Sequence, residues 1–241
     1  MISKNELKYI QSLYHKKTRD RENVFIVEGP KMVDELLKSN LRTIKIFATR
    51  GEWSKNHTGS DFQEIEDFEL KRISHFETPN QVLAIAKKKI PTNDIINFED
   101  QVLLMLDGLQ DPGNLGTIIR IADWFGIQTI IASEDTADCY NPKVIQASMG
   151  IIFIINIMYI NLTPLLSECP TKVYGAVLNG VNLKKQEPIK NGVIIIGNES
   201  KGIREQVLPF IEKPITIEPL GKAESLNAAV AAGIILSHLI A

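Results

Sequence analysis

The chain has 241 residues, of which 44% are hydrophobic and 23% charged, with 27 Lys and Arg against 29 Asp and Glu; this is typical of a globular protein with one large or two small domains. The longest apolar run, 150–160 interrupted by Asn156, is shorter than the ~20 residues of a transmembrane helix, and the N-terminus lacks the apolar core of a signal peptide. We therefore expect no membrane association and no export.

The cysteines and histidines argue against a disulfide-stabilised protein and against a metal-binding protein. Cys139 and Cys169 are too few and too far apart for a disulfide framework or a Cys-x-x-Cys pair. This usage favours a reducing compartment, and the predicted location is the cytoplasm. The histidines are scattered outside any His-Glu-x-x-His pattern, so the sequence predicts no metal site. They are His15, His57, His75 and His238.

The two parts of the chain differ in charge. Residues 1–90 carry 17 Lys and Arg against 13 Asp and Glu, a net charge of +4, whereas residues 91–241 carry 10 against 16, a net charge of −6. A basic module joined to an acidic one is typical of a protein whose first part contacts a polyanion and whose second part holds a small ligand. The alternative is that chance and solvated faces account for the difference.

The first 90 residues predict a small α/β domain, because strands alternate with helices there. Apolar residues at helical spacing indicate the helices, and short apolar runs indicate the strands. The predicted elements are helices over 6–16 and 31–39, strands over 24–27, 44–48 and 82–86, and a loop over 51–61.

A linker is predicted over 87–94, where a run of lysines meets Pro91 and polar turn formers. It divides the chain into domains 1–90 and 91–241. The second domain repeats a strand, a glycine-bearing loop and a helix, and its continuous apolar strands predict a buried parallel sheet with helices on both faces. These strands are predicted over 102–106, 129–132, 173–178 and 193–196, with a terminal helix over 225–240.

The loop after the first of these strands, 107–116, leads into a helix that contains Arg120. Ligands bind beyond the carboxyl ends of strands in open parallel sheets, so this loop is a candidate site. Asn114 can cap the helix, and a positive helix start beside Arg120 suits a phosphate. The alternative is a glycine turn, an Asn cap and a solvent-facing arginine. Two carboxylates flank the loop, and we assign them to the turn. They are Asp107 and Asp111.

A second loop, 197–202, superficially resembles a P-loop, but Ile203 and Arg204 stand where that motif requires Lys and Ser or Thr. A nucleotide triphosphatase is therefore disfavoured, and no Gly-x-Gly-x-x-Gly supports a nicotinamide site. What remains is a strand end whose backbone can approach a ligand, with Glu199 beside it. The alternative is a glycine-rich turn with an exposed glutamate.

A third loop, 221–227, opens the terminal helix. Glu224 or Ser225 can cap that helix, which is the whole explanation under a purely structural interpretation. Asn227 is harder to explain, because a polar amide in the first turn of an apolar helix needs a hydrogen-bond partner if it is buried. A ligand could be that partner.

Together the three loops resemble the motifs of the SpoU/TrmH family of RNA ribose 2′-O-methyltransferases. The matching patterns, in family order, are Asn114-x-Gly116-x-x-x-Arg120, Gly197-x-Glu199-x-x-Gly202 and Ser225-Leu-Asn227. This resemblance covers 100–241. Residues 4–90 resemble the family's substrate-binding module, on the stretch from Phe25 to Gly29 followed by Glu35.

The resemblance implies an α/β fold with a C-terminal SPOUT domain, preceded by a small α/β domain that binds RNA. The SPOUT domain would have a parallel sheet and a deep trefoil knot, and would form a homodimer around that knot. The implied function is 2′-O-methylation of a ribose in ribosomal or transfer RNA, with S-adenosyl-L-methionine as the cofactor.

The same resemblance implies the site residues. The catalytic residue would be Arg120, acting with Asn114, Glu199, Ser225 and Asn227. The cofactor would be bound by Leu178, Asn179, Gly180, Gly197, Asn198, Glu199, Gly202, Ile217, Pro219, Leu220, Ser225, Leu226 and Asn227. Where the family usually has Ile-Pro, this chain has Glu218 inserted between Ile217 and Pro219, which changes the expected path of the pocket rim.

The role of Arg120 is open between a general base and an electrostatic clamp. We favour the clamp, because a guanidinium group stays protonated in proteins. RNA phosphates are predicted to contact Arg120 and a basic segment whose alternative role is a solvated helix face. That segment contains Lys16, Lys17, Arg19 and Arg21.

Two other functions remain as alternatives. One is an RNA-binding protein with the SPOUT fold and no methyltransferase activity, which the departure at Glu218 would favour. The other is a nucleotide-dependent oxidoreductase, which binding of a nicotinamide dinucleotide instead of S-adenosylmethionine would identify.

Overall fold

The computed structural model describes residues 1–89 and 96–240 as two compact units. The first unit contains 1–89 with 140–154, and the second contains 96–139 with 155–240. The predicted domain boundary between 90 and 91, and most of the predicted linker, lie outside the described residues. No helix in the described parts of the chain is long and apolar enough to cross a membrane.

Helices alternate with strands over much of the chain. The α-helices are α1 (Lys4–Ser12), α2 (Lys16–Glu22), α3 (Pro30–Lys38), α4 (Glu52–Asn56), α5 (Asp67–Ile73), α6 (Pro112–Trp124), α7 (Pro142–Ala147), α8 (Leu162–Ser167) and α9 (Ala228–Leu239). The β-strands are β1 (Val24–Glu28), β2 (Thr43–Ala48), β3 (Gln63–Glu64), β4 (Val82–Lys87), β5 (Val102–Asp107), β6 (Thr129–Ala132), β7 (Asn156–Tyr159), β8 (Val173–Asn182), β9 (Gly192–Gly197) and β10 (Lys213–Thr216).

The first unit is built on a four-stranded sheet in the order β1, β4, β2, β3. β4 runs antiparallel to both β1 and β2, and β3 is parallel to β2. Apolar side chains from α1, α5 and the strands form one buried cluster on this sheet. The cluster contains Ile10, Leu13, Val24, Ile26, Phe47, Ile65, Leu70, Ile73, Leu83 and Ile85. The predicted small α/β domain is therefore present.

Residues 140–154 belong to the first unit, although the sequence analysis places them in the second domain. The Phe25 ring lies 4.7 Å from that of Tyr140 and 6.0 Å from that of Phe153, measured between ring centroids. The Gln146 side chain donates a hydrogen bond to the backbone carbonyl of Glu28 at 2.9 Å, across 118 positions of sequence. Contacts over such a separation leave no local pattern from which a sequence could predict them.

The second unit has a six-stranded sheet in the order β10, β8, β9, β5, β6, β7, and every pair in it is parallel. This confirms the predicted parallel sheet. The central strands β5 and β9 are almost completely buried, as their continuous apolar sequences require. The trefoil knot stays a prediction, because strand order and pairing do not define a knot.

Several predicted bounds differ from the observed ones. β8 continues to Asn182, beyond the predicted strand, because it pairs with β10 there. The predicted loop over 51–61 contains α4, whose start is stabilised by a hydrogen bond from the N–H of Gly51 to the Ser54 hydroxyl at 3.0 Å. The sequence analysis missed short elements whose periodicity is weak. These are α2, α4, α5, α7, α8, β3, β7 and β10.

Candidate active site

The carboxyl ends of the two central strands of the second unit lie side by side. β5 ends at Asp107 and β9 ends at Gly197, and these residues are partners in the parallel ladder. The segments that follow them therefore start at the same edge of the sheet, where parallel sheets bind ligands. We call residues 108–111 the first motif loop and residues 198–204 the second motif loop.

The first motif loop ends at the N-cap of α6. Asp111 has an extended backbone, and its Oδ1 accepts a hydrogen bond from the N–H of Asn114 at 2.7 Å. Pro112 occupies the first helical position, where a missing N–H has no cost. The predicted cap at Asn114 is therefore wrong, because Asp111 supplies the cap and Asn114 already lies inside the first turn. Its side-chain amide is left to make other contacts.

The second motif loop closes tightly on itself. The N–H of Asn198 donates to the carbonyl of Gly202, and the N–H of Gly202 donates to the carbonyl of Asn198, both at 2.9 Å. A Cβ atom on Gly197 would lie 2.3 Å from the carbonyl carbon of Gly202, so only glycine fits there. The side chain of Asn198 also donates to the carbonyl of Gly108 at 2.7 Å, which joins the two motif loops.

Glu199 faces the first motif loop and accepts its hydrogen bonds. Its Oε1 accepts from the N–H of Asp111 at 3.1 Å and from the amide nitrogen of Asn114 at 3.0 Å, and its Oε2 accepts from the N–H of Gln110 at 3.3 Å. Partial burial alone would raise the pKa of Glu199, but these hydrogen bonds outweigh it and lower the pKa. Glu199 is therefore an ionised carboxylate at neutral pH.

The side chains of Asn114 and Asn227 link Glu199 to the start of α9 by hydrogen bonds. The Nδ2 of Asn227 donates to the Oδ1 of Asn114 at 2.7 Å, while the Oδ1 of Asn227 accepts from two backbone N–H groups in the first turn of α9, at 2.9 and 3.3 Å. We call Glu199, Asn114 and Asn227 the carboxylate–amide relay. It joins residues from all three predicted motifs.

Asn227 is thus the N-cap of α9, and the helix begins at Ala228 rather than at 225. The predicted cap at Glu224 or Ser225 is wrong. Both residues lie in the exposed segment before the helix, and the first N–H groups of the helix donate to Asn227 instead. Asn227 is exposed rather than buried, and its hydrogen-bond partners are the protein's own Asn114 and the first turn of the helix.

The structure leaves Arg120 and Ser225 outside the relay. Arg120 is exposed on α6, six residues after Asn114 and therefore about 9 Å further along the helix axis. Ser225 is exposed in the segment before α9. Within the described residues, neither side chain makes a hydrogen bond or an ion pair. Of the five predicted catalytic residues, three meet and two remain free.

The residues predicted to bind the cofactor on β8 lie in a strand rather than a loop. Leu178, Asn179 and Gly180 belong to the part of β8 that approaches β10. A Cβ atom on Gly180 would lie 2.6 Å from the carbonyl carbon of Ile215, so glycine at this position lets the two strands meet. The hydroxyl of Thr216 donates to the carbonyl of Leu178 at 3.1 Å and adds to this contact.

The segment 217–226 leads from β10 to α9 without helix or strand. Glu218, which departs from the family pattern, accepts a hydrogen bond from the side chain of Asn182. Ile217 is partly buried and Pro219 is exposed, and Leu220 is 96% exposed. The inserted glutamate is therefore accommodated by β8, and the residues after it point into solvent.

The sequence analysis missed an ion pair at the base of the motif loops. Asp107 is fully buried, and its carboxylate accepts from the Nε of Arg204 at 2.6 Å and from the N–H of Arg204 at 2.8 Å. Burial alone would lower the pKa of Arg204, but Asp107 and Asp135 raise it. A carboxylate at the end of a buried strand does require a partner. That partner is 97 positions away, so the sequence could not identify it.

The basic segment predicted to contact RNA divides into exposed and buried side chains. Lys16, Lys17 and Arg21 are exposed on α2. Arg19 is only 2% exposed, and its guanidinium donates to two backbone carbonyl groups at 3.0 and 2.8 Å. Because the Arg19 guanidinium is buried and bound to the protein's own backbone, Arg19 is not carried forward among the proposed RNA contacts.

Comparison with known proteins gives two family matches. The model of the SpoU rRNA Methylase family matches residues 101–237, and the model of the MRM3-like substrate binding domain matches residues 4–84. The chain is also 32% identical to the 23S rRNA (guanosine(2553)-2′-O)-methyltransferase RlmP of Bacillus subtilis (strain 168), over 95% of this chain and 93% of that protein.

Solved structures give the same result. An RNA methyltransferase assigned to the TrmH family from Porphyromonas gingivalis is 34% identical, with a TM-score of 0.87 over 99% of this chain and 98% of that one. An AdoMet-bound rRNA methyltransferase from Sinorhizobium meliloti is 28% identical, with a TM-score of 0.87 over 99% of this chain and 96% of that one. The similarity therefore extends over both units of the chain.

Proposed function

The chain belongs to the SpoU rRNA methylase family, and from this premise we propose that it is an RNA ribose 2′-O-methyltransferase that uses S-adenosylmethionine. The observation that carries the proposal is the carboxylate–amide relay, in which Glu199, Asn114 and Asn227 from three separate motifs meet at the carboxyl edge of a parallel sheet. Ribosomal RNA is the proposed substrate, because the similar protein of Bacillus subtilis is a 23S rRNA methyltransferase.

The segments proposed to hold the cofactor have the chemistry that it requires. Leu178 is 73% exposed, Leu220 96% and Leu226 48%, and a purine ring is an apolar surface that could cover such side chains. Glycine at 180 lets β8 approach β10, and glycine at 197 lets the second motif loop close on itself. The proposed cofactor residues are Leu178, Asn179, Gly180, Gly197, Asn198, Glu199, Gly202, Ile217, Pro219, Leu220, Ser225, Leu226 and Asn227. When bound, S-adenosylmethionine supplies an electrophilic methyl group on a sulfonium sulfur.

Arg120 is the proposed catalytic residue. Its guanidinium is exposed and makes no hydrogen bond to another described residue, so its donors are available to RNA. A guanidinium group stays protonated in proteins, which argues against a role as general base. We therefore assign it an electrostatic role: it holds the phosphate next to the target ribose and stabilises the charge that develops on the 2′ oxygen.

The relay residues supply positioning. Glu199 holds the first motif loop by its backbone N–H groups, and Asn114 and Asn227 connect that loop to the start of α9. Ser225 lies two residues before Asn227, and we propose that its free hydroxyl orients the ribose. Holding the reacting groups in a fixed geometry supplies a large part of the rate of such a transfer.

The two predicted domains have different proposed roles. We propose that residues 1–90 bind RNA and that residues 91–241 carry the methyltransferase site. The match of residues 4–84 to a substrate binding domain supports the first assignment, and the match of residues 101–237 supports the second. Exposed Lys16, Lys17 and Arg21 on α2 are the proposed phosphate contacts of the first domain, together with Arg120 from the second.

A homodimer through the second domain is proposed on the outer face of α6 and α9. These helices pack against each other, and they leave large apolar side chains uncovered: Trp124 is 82% exposed, Val230 50% and Ile234 40%. Removing such a patch from water favours association. Within the described residues Cys139 and Cys169 form no disulfide, which is typical of a reducing compartment, and we propose the cytoplasm as the location.

The test is transfer of a radiolabelled methyl group from S-adenosylmethionine to ribosomal RNA, followed by alkaline hydrolysis. A ribose 2′-O-methyl group blocks cleavage of the next phosphodiester bond, so we expect the label in alkali-resistant dinucleotides. Transfer RNA serves as the second substrate, and the Arg120→Ala variant serves as the negative control. RNA binding without transfer to either RNA would identify a binding protein and overturn the proposal.

A further inference from the structure

The second motif loop is held at both of its ends. At its start, Asn198 donates to the carbonyl of Gly108 at 2.7 Å. At its end, Arg204 binds Asp107 through its backbone N–H and its guanidinium. Glu199 lies between these two attachments, and its position relative to the first motif loop therefore depends on both.

Arg204 also connects to the loop that follows β6. Its Nη1 lies 3.3 Å from the Oδ1 of Asp135, and the same oxygen accepts from the hydroxyl of Ser133 at 2.7 Å. The Ser133 hydroxyl in turn accepts from the N–H of Gly108 at 2.8 Å. One guanidinium, at the end of the second motif loop after β9, thus binds the last residue of β5 and the loop that follows β6.

The ion pair between Asp107 and Arg204 depends on the planar geometry of the guanidinium. Asp107 is fully buried at the end of a central strand, and it uses both oxygens on the same arginine. Apolar residues of similar volume could fill the space, but they would not fix the angle of the loop. A lysine would keep the charge and lose the planar fork that reaches Asp107 and Asp135 together.

We propose that Arg204 is a positioning residue of the methyltransferase site: held by Asp107 and Asp135, it fixes the second motif loop so that Glu199 meets the first motif loop. This rests on the proposed function, because the loops that it holds are those assigned to S-adenosylmethionine. Arg204 acts through Glu199 and contacts neither the cofactor nor the ribose.

The experiment measures hydrogen exchange of the unliganded protein and, separately, S-adenosylmethionine affinity by calorimetry. In Arg204→Lys we expect the Gln110 and Asp111 amides, which donate to Glu199, to exchange about tenfold faster, with a Kd raised by a similar factor. The matched control is Arg50→Lys, which alters an exposed pair with Glu64. It should change neither measurement.

A second variant separates positioning from stability. Asp107→Asn combined with Arg204→Gln removes both charges together, so no unpaired carboxylate stays buried. We expect a melting temperature above that of Arg204→Gln alone, with exchange at Gln110 and Asp111 still fast. Wild-type exchange and affinity in Arg204→Lys, or in the double variant, would overturn the inference. If the unaltered protein does not bind S-adenosylmethionine, the proposed function fails, and the exchange rates still decide the role of Arg204.

Discussion

The proposed active site has two regions that are held very differently. The two motif loops are fixed by the protein itself, because Glu199 accepts hydrogen bonds from the first loop and Arg204 binds buried Asp107. Arg120 and residues 218–226 are exposed, and the hydrogen bond between Glu218 and Asn182 fixes this segment at its start. The fold therefore positions one set of groups in advance, and it leaves the other set to be positioned by cofactor, RNA or a second subunit.

We therefore predict that substitutions of the exposed groups, such as Arg120, lower the rate of methyl transfer without lowering the stability of the fold. Arg120→Ala is expected to lower kcat about 10²–10³-fold, the usual effect of removing a group that stabilises developing charge. The melting temperature should not change, since Arg120 is exposed and has no partner among the described residues. Single-turnover kinetics and thermal unfolding measure the two effects.

Arg120→Lys sharpens the same prediction. Loss of activity at every pH would support the planar clamp, because an ammonium group cannot contact phosphate and ribose oxygens in the same fork geometry. Activity comparable to that of the unaltered protein, rising with pH through the titration of the lysine, would contradict the clamp and favour a general base.

The fixed region should respond in the opposite way, with lost stability. Gly197→Ala puts a Cβ atom 2.3 Å from the carbonyl carbon of Gly202, and the resulting shift is expected to cost about 1–3 kcal/mol of unfolding free energy. Gly221→Ala is the matched control in the exposed segment, where a Cβ atom meets nothing within 4 Å. Chemical denaturation measures the unfolding free energies of both variants. Equal values would contradict the proposed difference between the fixed and the exposed region.

The contribution of Glu199 to the stability of the fixed region is expected to depend on pH. Its pKa is lowered from the ordinary 4.5 in the folded protein, so the unfolded chain binds the proton more tightly. Its contribution to stability is therefore full above pH 4.5 and is lost as the pH falls through the lowered value. Glu199→Gln should cost about 1 kcal/mol at pH 7, a modest effect because the group is partly exposed.

The corresponding measurement is the difference in unfolding free energy between the unaltered protein and Glu199→Gln, followed from pH 7 to pH 3. We expect the difference to shrink towards the acid end. A difference that stays constant over this range would mean that the charge of Glu199 does not hold the first motif loop.

The smallest expected effects concern the first domain. Lys16→Ala and Lys17→Ala should each lower the slope of log affinity for RNA against log salt by about 0.7–0.9, the value of one phosphate contact. Affinity for S-adenosylmethionine should stay unchanged. Lys55→Ala, on α4, is an exposed control in the same domain. Arg19→Ala should instead destabilise the protein, because that side chain is buried.

The parts of the fold that could be predicted are those that a local pattern specifies. β6 has its predicted bounds, and β5 extends one residue beyond them, because a continuous apolar run between loops has one interpretation in a parallel sheet. The motif loops follow β5 and β9, so their place at the carboxyl edge could also be predicted.

The remaining features depend on contacts that a local pattern does not contain. The cap of α6 is an exception: Asn114 and Asp111 are equally good caps by residue type, but Pro112 directly after Asp111 is a local signal for a helix start there. Arg19 resembles its exposed neighbours in sequence, and only the folded chain brings its guanidinium to the carbonyls of Leu13 and Tyr14. Asp107 meets Arg204 across 97 positions. Arg120 has the spacing of the family motif, but the contacts proposed for it are to RNA, which is not part of this chain.

The carboxylate–amide relay has a fixed direction. An ionised carboxylate only accepts hydrogen bonds and helix N–H groups only donate them, so each amide between Glu199 and α9 has one allowed orientation. X-ray maps rarely distinguish amide nitrogen from oxygen. A neutron map of crystals grown in heavy water would show deuterium on Asn114 facing Glu199, and on Asn227 facing Asn114. Since a neutral amide takes up no proton, the hydrogen of the ribose hydroxyl must leave by a route that avoids both asparagines.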